Sequence, residues 1–440
     1  MAVIGSGVAG LAAAWLLSQR HSVTVYEKEA WLGGHAHTVM APSRSGPIPV
    51  DTGFIVYNES NYPNLTALFR HLGVPTEASS MSFSASVDDG RYEYSSASTN
   101  AYCGQRRNLL RPRFWRMTRD LFRFYPAARA LPVDASCEDI TIGEWLDREG
   151  YSATFVNDHV LPMAAAIWST TPTDIRAYPL RAYLRFFASH GLLSITRRHH
   201  WRTVTGGSRA YVDRISAGFT DVRLNTAVRR IERGPAGVLV EDGTGHVERF
   251  SDVVIGAHAD DALRLLGDAD GAERAILGAF RYTGNDAVLH TDASLMPRNR
   301  RVWSSWNFIG EDADPGDGQL TVTYWMNRLQ NIDPATPLFL TLNPRREPRP
   351  GSVIGRYSYS HPYFDRAGLE AQQQLWRLQG VRRTWFCGAH FGYGFHEDAL
   401  QSGLAVGEAL GGERRPWALP EERIAPAWQP VPADMVEAAA

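Results

Sequence analysis

The order of apolar and polar positions at the start of the chain predicts a strand, a tight turn, a helix and a second strand. Residues 1–4 form a short apolar run that leads directly into a glycine-rich turn. Residues 11–19 follow with a helical pattern, and residues 22–26 are again rich in apolar and β-branched side chains. This order predicts an α/β fold whose first two strands belong to one buried sheet.

Strand patterns return in the second half of the chain, and they are of two kinds. Alternating runs are typical of sheets with one buried face, and uninterrupted apolar runs are typical of strands that are buried on both faces. The sequence predicts alternating strands over 222–231, 287–292, 321–327 and 357–362, a hairpin arm over 237–243, and buried strands over 251–257 and 384–388. A second glycine-rich turn and a helix that ends near Leu410 follow the last of these strands.

The first turn follows the spacing G-x-G-x-x-G and consists of Gly5, Ser6, Gly7, Val8, Ala9 and Gly10. Gly5 permits the tight turn, Gly7 lets the backbone approach a pyrophosphate, and Gly10 lets the helix pack closely on the strand. The helix then presents its free N–H groups to the phosphates. Glu27 lies 22 positions beyond Gly5, where a carboxylate accepts hydrogen bonds from a ribose. These residues predict dinucleotide binding, and both NAD and FAD fit this part of the sequence.

Composition and charge exclude several classes of protein. The chain has 440 residues and a formal net charge of −2, so it lacks the positive field of a dedicated nucleic-acid binder. Its cysteines, Cys103, Cys137 and Cys387, include no C-x-x-C pair, and we expect neither a disulfide scaffold nor a metal site. No run of about 20 apolar residues and no signal-peptide pattern occurs. We therefore expect a cytoplasmic protein.

A further pair of glycines, Gly33 and Gly34, follows Glu27, and an Asp-x-Gly stands in the strand-like run 50–57. With these features the chain resembles the flavin-containing amine oxidase and phytoene desaturase superfamily. The resemblance implies FAD as the cofactor. It also implies an α/β fold with a Rossmann-like FAD-binding domain of the glutathione-reductase and amine-oxidase type, and a discontinuously inserted α+β substrate domain.

The resemblance assigns cofactor contacts residue by residue. Gly33 and Gly34 would lie along the pyrophosphate and ribityl chain of FAD. Lys28 would lie beside Glu27 at the adenosine half of the cofactor, and the backbone of Val228 would contact the adenine. The residues near the flavin ring would be Gly53, Phe54, Ile55, Gly388, Phe395, His396 and Glu397. Two positions depart from the family pattern: His35, which we still expect among the cofactor contacts, replaces the arginine that usually follows the glycine pair, and Ala389-His390 replaces an acidic residue.

The same resemblance divides the chain into domains. The FAD-binding domain would comprise residues 1–75, 200–270 and 380–412, the substrate domain 76–199 and 271–379, and a proline-rich tail 413–440. The phrase Gly-Tyr-Gly-Phe-His-Glu-Asp at 392–398 is similar to that of bacterial FAD/NAD-binding proteins of the amine-oxidase type. That subgroup is often associated with cyclopropane-fatty-acid synthase-like methyltransferases, which implies lipid modification and a methyltransferase partner.

Lys28 is the only lysine in the chain. Many amine oxidases keep a lysine near flavin N5, so its absence elsewhere favours desaturation over amine oxidation. We predict an FAD-dependent oxidoreductase that dehydrogenates a lipid-like substrate, such as a phospholipid fatty acyl chain, by hydride transfer to flavin N5. The alternatives are a flavin-dependent double-bond isomerase, an amine or porphyrin-precursor oxidase, and a non-catalytic FAD-binding partner of a lipid methyltransferase.

Alternation in the run 357–362 places Tyr357, Tyr359 and His361 on one face of a strand. Aromatic rings on such a face would hold an apolar substrate over the flavin. We predict His361 and Tyr393 as the catalytic residues.

Two segments, 106–124 and 191–202, interleave arginine with tryptophan and phenylalanine. This combination suits a helix that lies on anionic headgroups, and it predicts peripheral contact with the inner face of the membrane. A solvated basic helix is the alternative. The near-neutral charge of the whole chain argues against RNA as the partner.

Overall fold

The computed structural model describes residues 1–131, 140–168, 170–193, 199–310 and 321–419. These residues form two compact units, each assembled from separate stretches of the chain. Unit 1 consists of residues 1–34, 212–281 and the described part of 367–440, and unit 2 consists of residues 35–211 and 282–366. The predicted FAD-binding and substrate domains are defined by function, and their boundaries stay a prediction.

The described residues contain twenty β-strands. They are β1 (Ala2–Ile4), β2 (Thr24–Tyr26), β3 (Thr38–Ala41), β4 (Ile48–Asp51), β5 (Tyr57–Asn58), β6 (Thr76–Ser79), β7 (Phe83–Val87), β8 (Tyr92–Ser95), β9 (Trp201–Val204), β10 (Asp221–Arg223), β11 (Val228–Gly234), β12 (Gly237–Asp242), β13 (Val247–Phe250), β14 (Val253–Ile255), β15 (Arg281–His290), β16 (Trp306–Ile309), β17 (Thr321–Trp325), β18 (Phe339–Leu342), β19 (Val353–Tyr363) and β20 (Thr384–Phe386).

Fifteen α-helices lie within the same described ranges. They are α1 (Val8–Leu17), α2 (Pro63–His71), α3 (Thr99–Tyr102), α4 (Pro112–Ala130), α5 (Ile142–Arg148), α6 (Ala153–Phe155), α7 (Leu161–Trp168), α8 (Pro172–Arg176), α9 (Leu180–Ser189), α10 (Arg209–Ile215), α11 (Ala259–Leu265), α12 (Gly271–Leu277), α13 (Met326–Leu329), α14 (Arg366–Gln372) and α15 (His396–Ala409). Short 3-10 helices include Arg106–Leu110 and Ala389–Phe391.

A parallel sheet forms the centre of unit 1. Its strand order is β10-β2-β1-β14-β20, and every neighbouring pair is parallel. All residues of β1, β2, β14 and β20 are buried, as expected for strands covered on both faces. The predicted α/β fold class is therefore confirmed, as are the buried strands over 251–257 and 384–388.

The predicted strand over 222–231 is wrong in one respect, because it is two strands in different sheets. β10 joins the parallel sheet, whereas β11 pairs antiparallel with β12, the predicted hairpin arm. Asn225 lies between them with a φ of +52°, in the left-handed region. Asparagine tolerates this conformation, so the chain turns there although the alternating pattern continues.

Unit 2 contains a seven-stranded sheet with the order β19-β15-β18-β17-β16-β7-β8. The strands predicted over 287–292, 321–327 and 357–362 correspond to β15, β17 and β19, and all three belong to this sheet. Two smaller sheets, β3-β4 and β5-β9-β6, complete the unit. The strand-like run 50–57 is interrupted, because β4 ends at Asp51 and β5 begins at Tyr57.

Some predicted features fall outside the described residues. They include residues 420–440 of the proline-rich tail, residues 194–198 of the second arginine-rich segment, and Cys137. Among the residues that are described, no helix is both long enough and apolar enough to cross a membrane.

Candidate functional site

The first glycine turn, in unit 1, has the backbone geometry that its sequence indicates. Gly5 has a φ of +90°, and a Cβ atom there would lie 2.8 Å from the carbonyl oxygen of Gly256. A Cβ atom on Gly10 would lie 2.0 Å from the carbonyl oxygen of Gly5. Only glycine fits these two positions, because a side chain would collide with backbone atoms.

The start of α1 leaves both space and donors for a phosphate group. A Cβ atom on Gly7, the residue before the helix, would have no neighbouring atom within 4 Å. No side chain caps α1, and its first turn contains no acidic residue. The first N–H groups of the helix and its positive dipole end are therefore available to an anion. Ser6, Val8 and Ala9 are buried around this turn, and the residues present fit a pyrophosphate.

Glu27 is buried and ties the glycine turn to β2. One of its carboxylate oxygens accepts hydrogen bonds from the N–H and the hydroxyl of Ser6, and the other accepts one from the N–H of Glu29 at 2.9 Å. A carboxylate has about four acceptor positions, so about one remains for a ribose hydroxyl. The neighbouring Lys28 has a mostly exposed side chain and lies 4.0 Å from the Glu29 carboxylate.

Gly33 and Gly34 bring the chain back to the first turn. The N–H of Gly33 donates to the carbonyl oxygen of Ser6 at 3.0 Å. Gly34 has a φ of +56°, and a Cβ atom there would lie 3.0 Å from the Cα of Gly7. The structure thus places the second glycine pair against the residues that would face a pyrophosphate.

Val228 begins β11, close to the chain around Glu27. Two residues earlier, Thr226 donates its N–H to the carbonyl oxygen of Glu27 at 2.8 Å, and Asn225 donates to that of Glu29 at 2.9 Å. Val228 is half-buried and belongs to the same unit as the glycine turns. The contact between its backbone and an adenine stays a prediction.

The C-terminal glycine turn leads into α15, whose first residue is His396. Asp398 accepts the N–H of Phe395 at 2.9 Å and so caps the helix. Glu397 is also buried in this first turn. Because two carboxylates offset the positive end of the helix dipole, α15 offers an anionic group less stabilisation than α1, whose first turn has no carboxylate.

Gly388 lies directly after β20 and is hydrogen-bonded through both its N–H and its carbonyl oxygen to the Ser402 hydroxyl, at 2.9 and 3.1 Å. A Cβ atom on Gly388 would lie 2.6 Å from the His390 ring. Burial lowers the pKa of His390 to about 3 and that of His396 to about 3. Both imidazoles are therefore neutral near pH 7 and bring no positive charge to this turn.

In unit 2, Gly53 permits the close approach of two chain segments. Phe54 donates its N–H to the carbonyl oxygen of His35 at 2.7 Å, and a Cβ atom on Gly53 would lie 2.2 Å from the same oxygen. Phe54 and Ile55 are half-buried. Their predicted contact with a flavin ring is not tested by these interactions, and it stays a prediction.

Three buried side chains of unit 2, Thr52, His37 and Tyr359, form a hydrogen-bonded triangle. The Tyr359 hydroxyl lies 2.6 Å from the Thr52 hydroxyl and 3.0 Å from Nδ1 of His37, and the Thr52 hydroxyl lies 3.2 Å from that nitrogen. Burial raises the pKa of Tyr359 and lowers the pKa of His37, so the triangle is uncharged near pH 7. The spacing of residues along the sequence could not identify this triangle, because Thr52 and Tyr359 are 307 positions apart.

Aromatic and imidazole rings extend from this triangle along β19. The ring centroid of Tyr359 lies 6.5 Å from that of Tyr357, and the His35 centroid lies 5.1 Å from Tyr359 and 5.4 Å from His361. The predicted placement of Tyr357, Tyr359 and His361 on one face of the strand is therefore confirmed. His35, which replaces the usual arginine, packs against this face.

The neighbours of His361 determine which of its nitrogens carries the proton. The Asn285 amide is oriented by two partners, since its oxygen accepts from Asn343 at 2.7 Å and its nitrogen donates to the Thr283 carbonyl at 3.0 Å. The same nitrogen lies 3.2 Å from Nδ1 of His361 and donates to it. Neutral His361 therefore carries its proton on Nε2, which makes Nε2 a hydrogen-bond donor.

Asp51 is the centre of a second polar cluster of unit 2. The carboxylate is fully buried and accepts hydrogen bonds from the N–H of Ser208 at 2.8 and 3.0 Å, from the hydroxyls of Thr38 and Ser208, and from the Gln330 amide at 2.8 Å. The sequence singled out the Asp-x-Gly, but it contained no signal for Ser208 or Gln330.

The two predicted catalytic residues belong to different units. His361 lies on β19 in unit 2, and Tyr393 lies in the glycine turn before α15 in unit 1, where it is half-buried. Their catalytic roles stay predictions.

Comparison with known proteins agrees with the dinucleotide-binding geometry of unit 1. Residues 8–334 match the family model for flavin-containing amine oxidoreductases. The chain is also 30% identical over 260 residues to a protein described as a putative flavin-containing monoamine oxidase, AofH, from two strains of Mycobacterium tuberculosis. This match covers 56% of the chain and 54% of the relative, so the chain spans about half the length of the curated relatives it matches.

Solved structures share the fold over nearly the whole chain. A fatty acid isomerase from P. acnes that produces CLA is 16% identical, with a TM-score of 0.65, covering 92% of this chain and 97% of that one. Cyclohexylamine oxidase from Brevibacterium oxydans IH-35A is 17% identical, with a TM-score of 0.65 and coverages of 93% and 98%. A putative protoporphyrinogen oxidase from Exiguobacterium sp. 255-15 is 15% identical, with a TM-score of 0.64 and coverages of 93% and 98%.

These likenesses to solved structures establish the fold. The family match covers most of the chain and includes α1, β2 and β11. The associated methyltransferase subgroup is not part of what the comparisons show. The chain belongs to the flavin-containing amine oxidoreductase family.

Proposed function

We propose that the chain dehydrogenates a lipid-like substrate, such as the fatty acyl chain of a phospholipid. The observation that carries the proposal is the composition of the face of β19 in unit 2. Tyr357, Tyr359 and His361 are in contact there with His35, His37, Thr52 and Asn285. None of these seven residues is a carboxylate, a lysine or an arginine. Such a face suits an apolar chain and provides no counter-ion for a charged amine.

The residues of this face have distinct tasks in the proposal. The rings of Tyr357 and Tyr359 pack against the apolar chain, and His361 on the same face is the polar group that orients the substrate. FAD, when bound, supplies the acceptor for the hydride that leaves the substrate carbon, while a proton leaves to solvent and an external oxidant such as dioxygen or a quinone restores the cofactor. The glycine turns of unit 1 would hold the pyrophosphate.

A double-bond isomerase is the second candidate, and it has one specific support. One structure with the same fold is described as a fatty acid isomerase, so the fold accommodates a fatty acid in that protein. An isomerase would return the hydride to the substrate and would need no external oxidant. The name of the AofH relative supports amine oxidation instead, and the chain's single lysine, Lys28, argues against it.

Anaerobic titration of the purified protein distinguishes these functions. We expect the flavin absorbance to bleach when phospholipid or free fatty acid is added, and not when cyclohexylamine or putrescine is added. Repeated turnover without any external oxidant and without lasting bleaching of the flavin would indicate isomerisation. Bleaching by an amine alone, or by protoporphyrinogen alone, would contradict the proposal. Flavin that no substrate reduces, together with the absence of any product, would indicate the non-catalytic partner of a lipid methyltransferase.

A matched pair of variants ties the activity to the proposed face. Tyr357→Leu keeps an apolar side chain but loses the ring, and we expect it to raise KM for the lipid severalfold with the flavin content unchanged. Val353→Leu, an exposed position on the same strand, is the control and should behave like the wild type. Mass spectrometry of cellular lipids with and without the chain then identifies the altered bond.

A further inference from the structure

Helix α4 of unit 2 has one buried face and one exposed face. Its buried residues include Phe114, Met117, Leu121, Phe124 and Ala128, which recur every three or four positions. The exposed face carries Trp115, Arg116, Arg119, Phe122, Arg123 and Pro126. Two large aromatic rings on the solvent side are unusual for a surface helix, whose outer face is normally polar.

Exposed apolar residues are concentrated at this helix. Of the ten large hydrophobic side chains that are exposed among the described residues, four lie between positions 109 and 122: Leu109, Leu110, Trp115 and Phe122. Leu110 is the most exposed of the ten, at 88%. The indole N–H of Trp115 donates to the Leu109 carbonyl oxygen at 2.9 Å, which fixes the 3-10 helix Arg106–Leu110 to the start of α4. The tryptophan ring therefore lies against the backbone at Leu109, next in sequence to the exposed Leu110.

Positive charge surrounds this apolar surface. Apart from Arg113, which is ion-paired with Asp88 and Asp158, the arginines of the same stretch are Arg106, Arg107, Arg111, Arg116, Arg119 and Arg123, all exposed except Arg111, which is half-buried. Arg119 and Arg123 share the buried carboxylate of Asp120, at 3.1 and 3.0 Å. Arg116 makes no ion pair with any of the described residues. We name these six arginines together with the four apolar residues the α4 patch.

We propose that the α4 patch docks the chain onto an anionic lipid bilayer. Leucine, tryptophan and phenylalanine side chains would enter the boundary between headgroups and acyl chains, and the arginines would bind lipid phosphates. Guanidinium groups suit this task, because they form two parallel hydrogen bonds with a phosphate. The inference does not depend on the substrate proposed above, and it concerns a surface other than the β19 face.

Two other occupants fit the α4 patch less well. Single-stranded RNA would stack bases on Trp115 and Phe122, but it would leave the exposed aliphatic side chain of Leu110 without a partner, and the chain as a whole is not basic. A second copy of the chain, related by a two-fold axis, would bring the same arginines against one another. Both are outcomes of the test.

Vesicle flotation of the FAD-loaded full chain tests the proposal. The probes are vesicles of phosphatidylcholine alone and of phosphatidylcholine with an equal part of phosphatidylglycerol. We expect binding to the anionic vesicles, weaker binding to the neutral ones, and release as the salt concentration increases. The double variant Leu110→Ser/Phe122→Ser should lower the partition coefficient at least about tenfold, and Arg116→Glu about fivefold or more.

The controls distinguish binding through the α4 patch from non-specific adsorption to vesicles and from misfolding. Met40→Ser is matched to Trp115 and Phe122 in exposure, and Arg44→Glu reverses an exposed charge in the turn between β3 and β4. Both should bind like the wild type, and all variants should retain flavin and the wild-type circular dichroism spectrum. Absence of binding at low salt, equal affinity for both kinds of vesicle, tighter binding to single-stranded RNA, or a dimer that Phe122→Ser dissociates would each overturn the proposal.

Discussion

At the scale of single residues, Asp51 shows two opposing effects on one carboxylate. Its hydrogen bonds from Ser208, Thr38 and Gln330 favour the charged form. The loss of hydration on complete burial favours the neutral form more strongly, and it raises the pKa of Asp51 from 3.8 to about 6. The folded state therefore holds this proton more tightly than the unfolded state does.

This difference predicts how the stability of the protein depends on pH. Between about pH 4 and pH 6 the folded state binds more protons at Asp51 than the unfolded state, so the free energy of unfolding should fall as the pH rises through this window. A shift of about two pKa units corresponds to about 3 kcal/mol. Urea unfolding at a series of pH values measures this effect.

Asp51→Asn should remove this part of the pH dependence, because the amide does not titrate. Asp333→Asn changes an exposed carboxylate of unit 2 and should keep the wild-type slope. If the slope of Asp51→Asn between pH 4 and pH 6 matched that of the wild type, the raised pKa would be ruled out.

At the scale of elements, the closest approach of α15 to α1 is at Gly403. A Cβ atom on Gly403 would lie 2.1 Å from the carbonyl oxygen of Ala9, so the two helices approach to backbone contact at this point. Gly403→Ala should destabilise the protein by about 1–3 kcal/mol, because the added methyl group would collide with the backbone of Ala9 and not with a side chain that could turn away.

Gly271→Ala is the matched control for this packing prediction. Gly271 is the first residue of α12, and a Cβ atom there would meet no atom within 4 Å. The substitution should be neutral or slightly stabilising, since alanine reduces the freedom of the unfolded chain. Equal urea midpoints for the two variants would show that the helix contact tolerates a methyl group.

The elements also show where sequence patterns succeed and where they fail. Apolar runs located β1, β14 and β20, because burial on both faces leaves a clear signature. The run 222–231 did not show the break at Asn225, since one left-handed residue changes the direction of the chain without changing the alternation. The triangle of Thr52, His37 and Tyr359 could not be predicted from the sequence, because it depends on tertiary contacts between distant positions.

At the scale of the whole molecule, unit 1 is assembled from three stretches of chain. The glycine turn and α1 come from the first, β10 to β14 from the second, and β20 with α15 from the third. The parallel sheet is complete only when β20 pairs with β14, so contacts that are very distant in sequence must form before the unit is stable.

FAD binding should therefore stabilise the molecule as a whole. A ligand that binds only the folded state adds about 2.7 kcal/mol when its concentration is one hundred times its Kd. We expect the Tm of the apoprotein to rise with added FAD, and Gly5→Ala to be colourless and to show no rise. Gly218→Ala, in unit 1 with open space beside it, should respond like the wild type. A yellow Gly5→Ala protein would show that the cofactor lies elsewhere.

The mostly exposed side chain of Lys28 offers a practical opportunity. Because no other residue carries a side-chain amine, an amine-reactive dye applied at a pH where lysine reacts would attach to the interior of the sequence at one place only. That place is adjacent to the carboxylate that supports the glycine turn. A fluorophore there would serve as a built-in reporter of cofactor loading, with no engineered cysteine required.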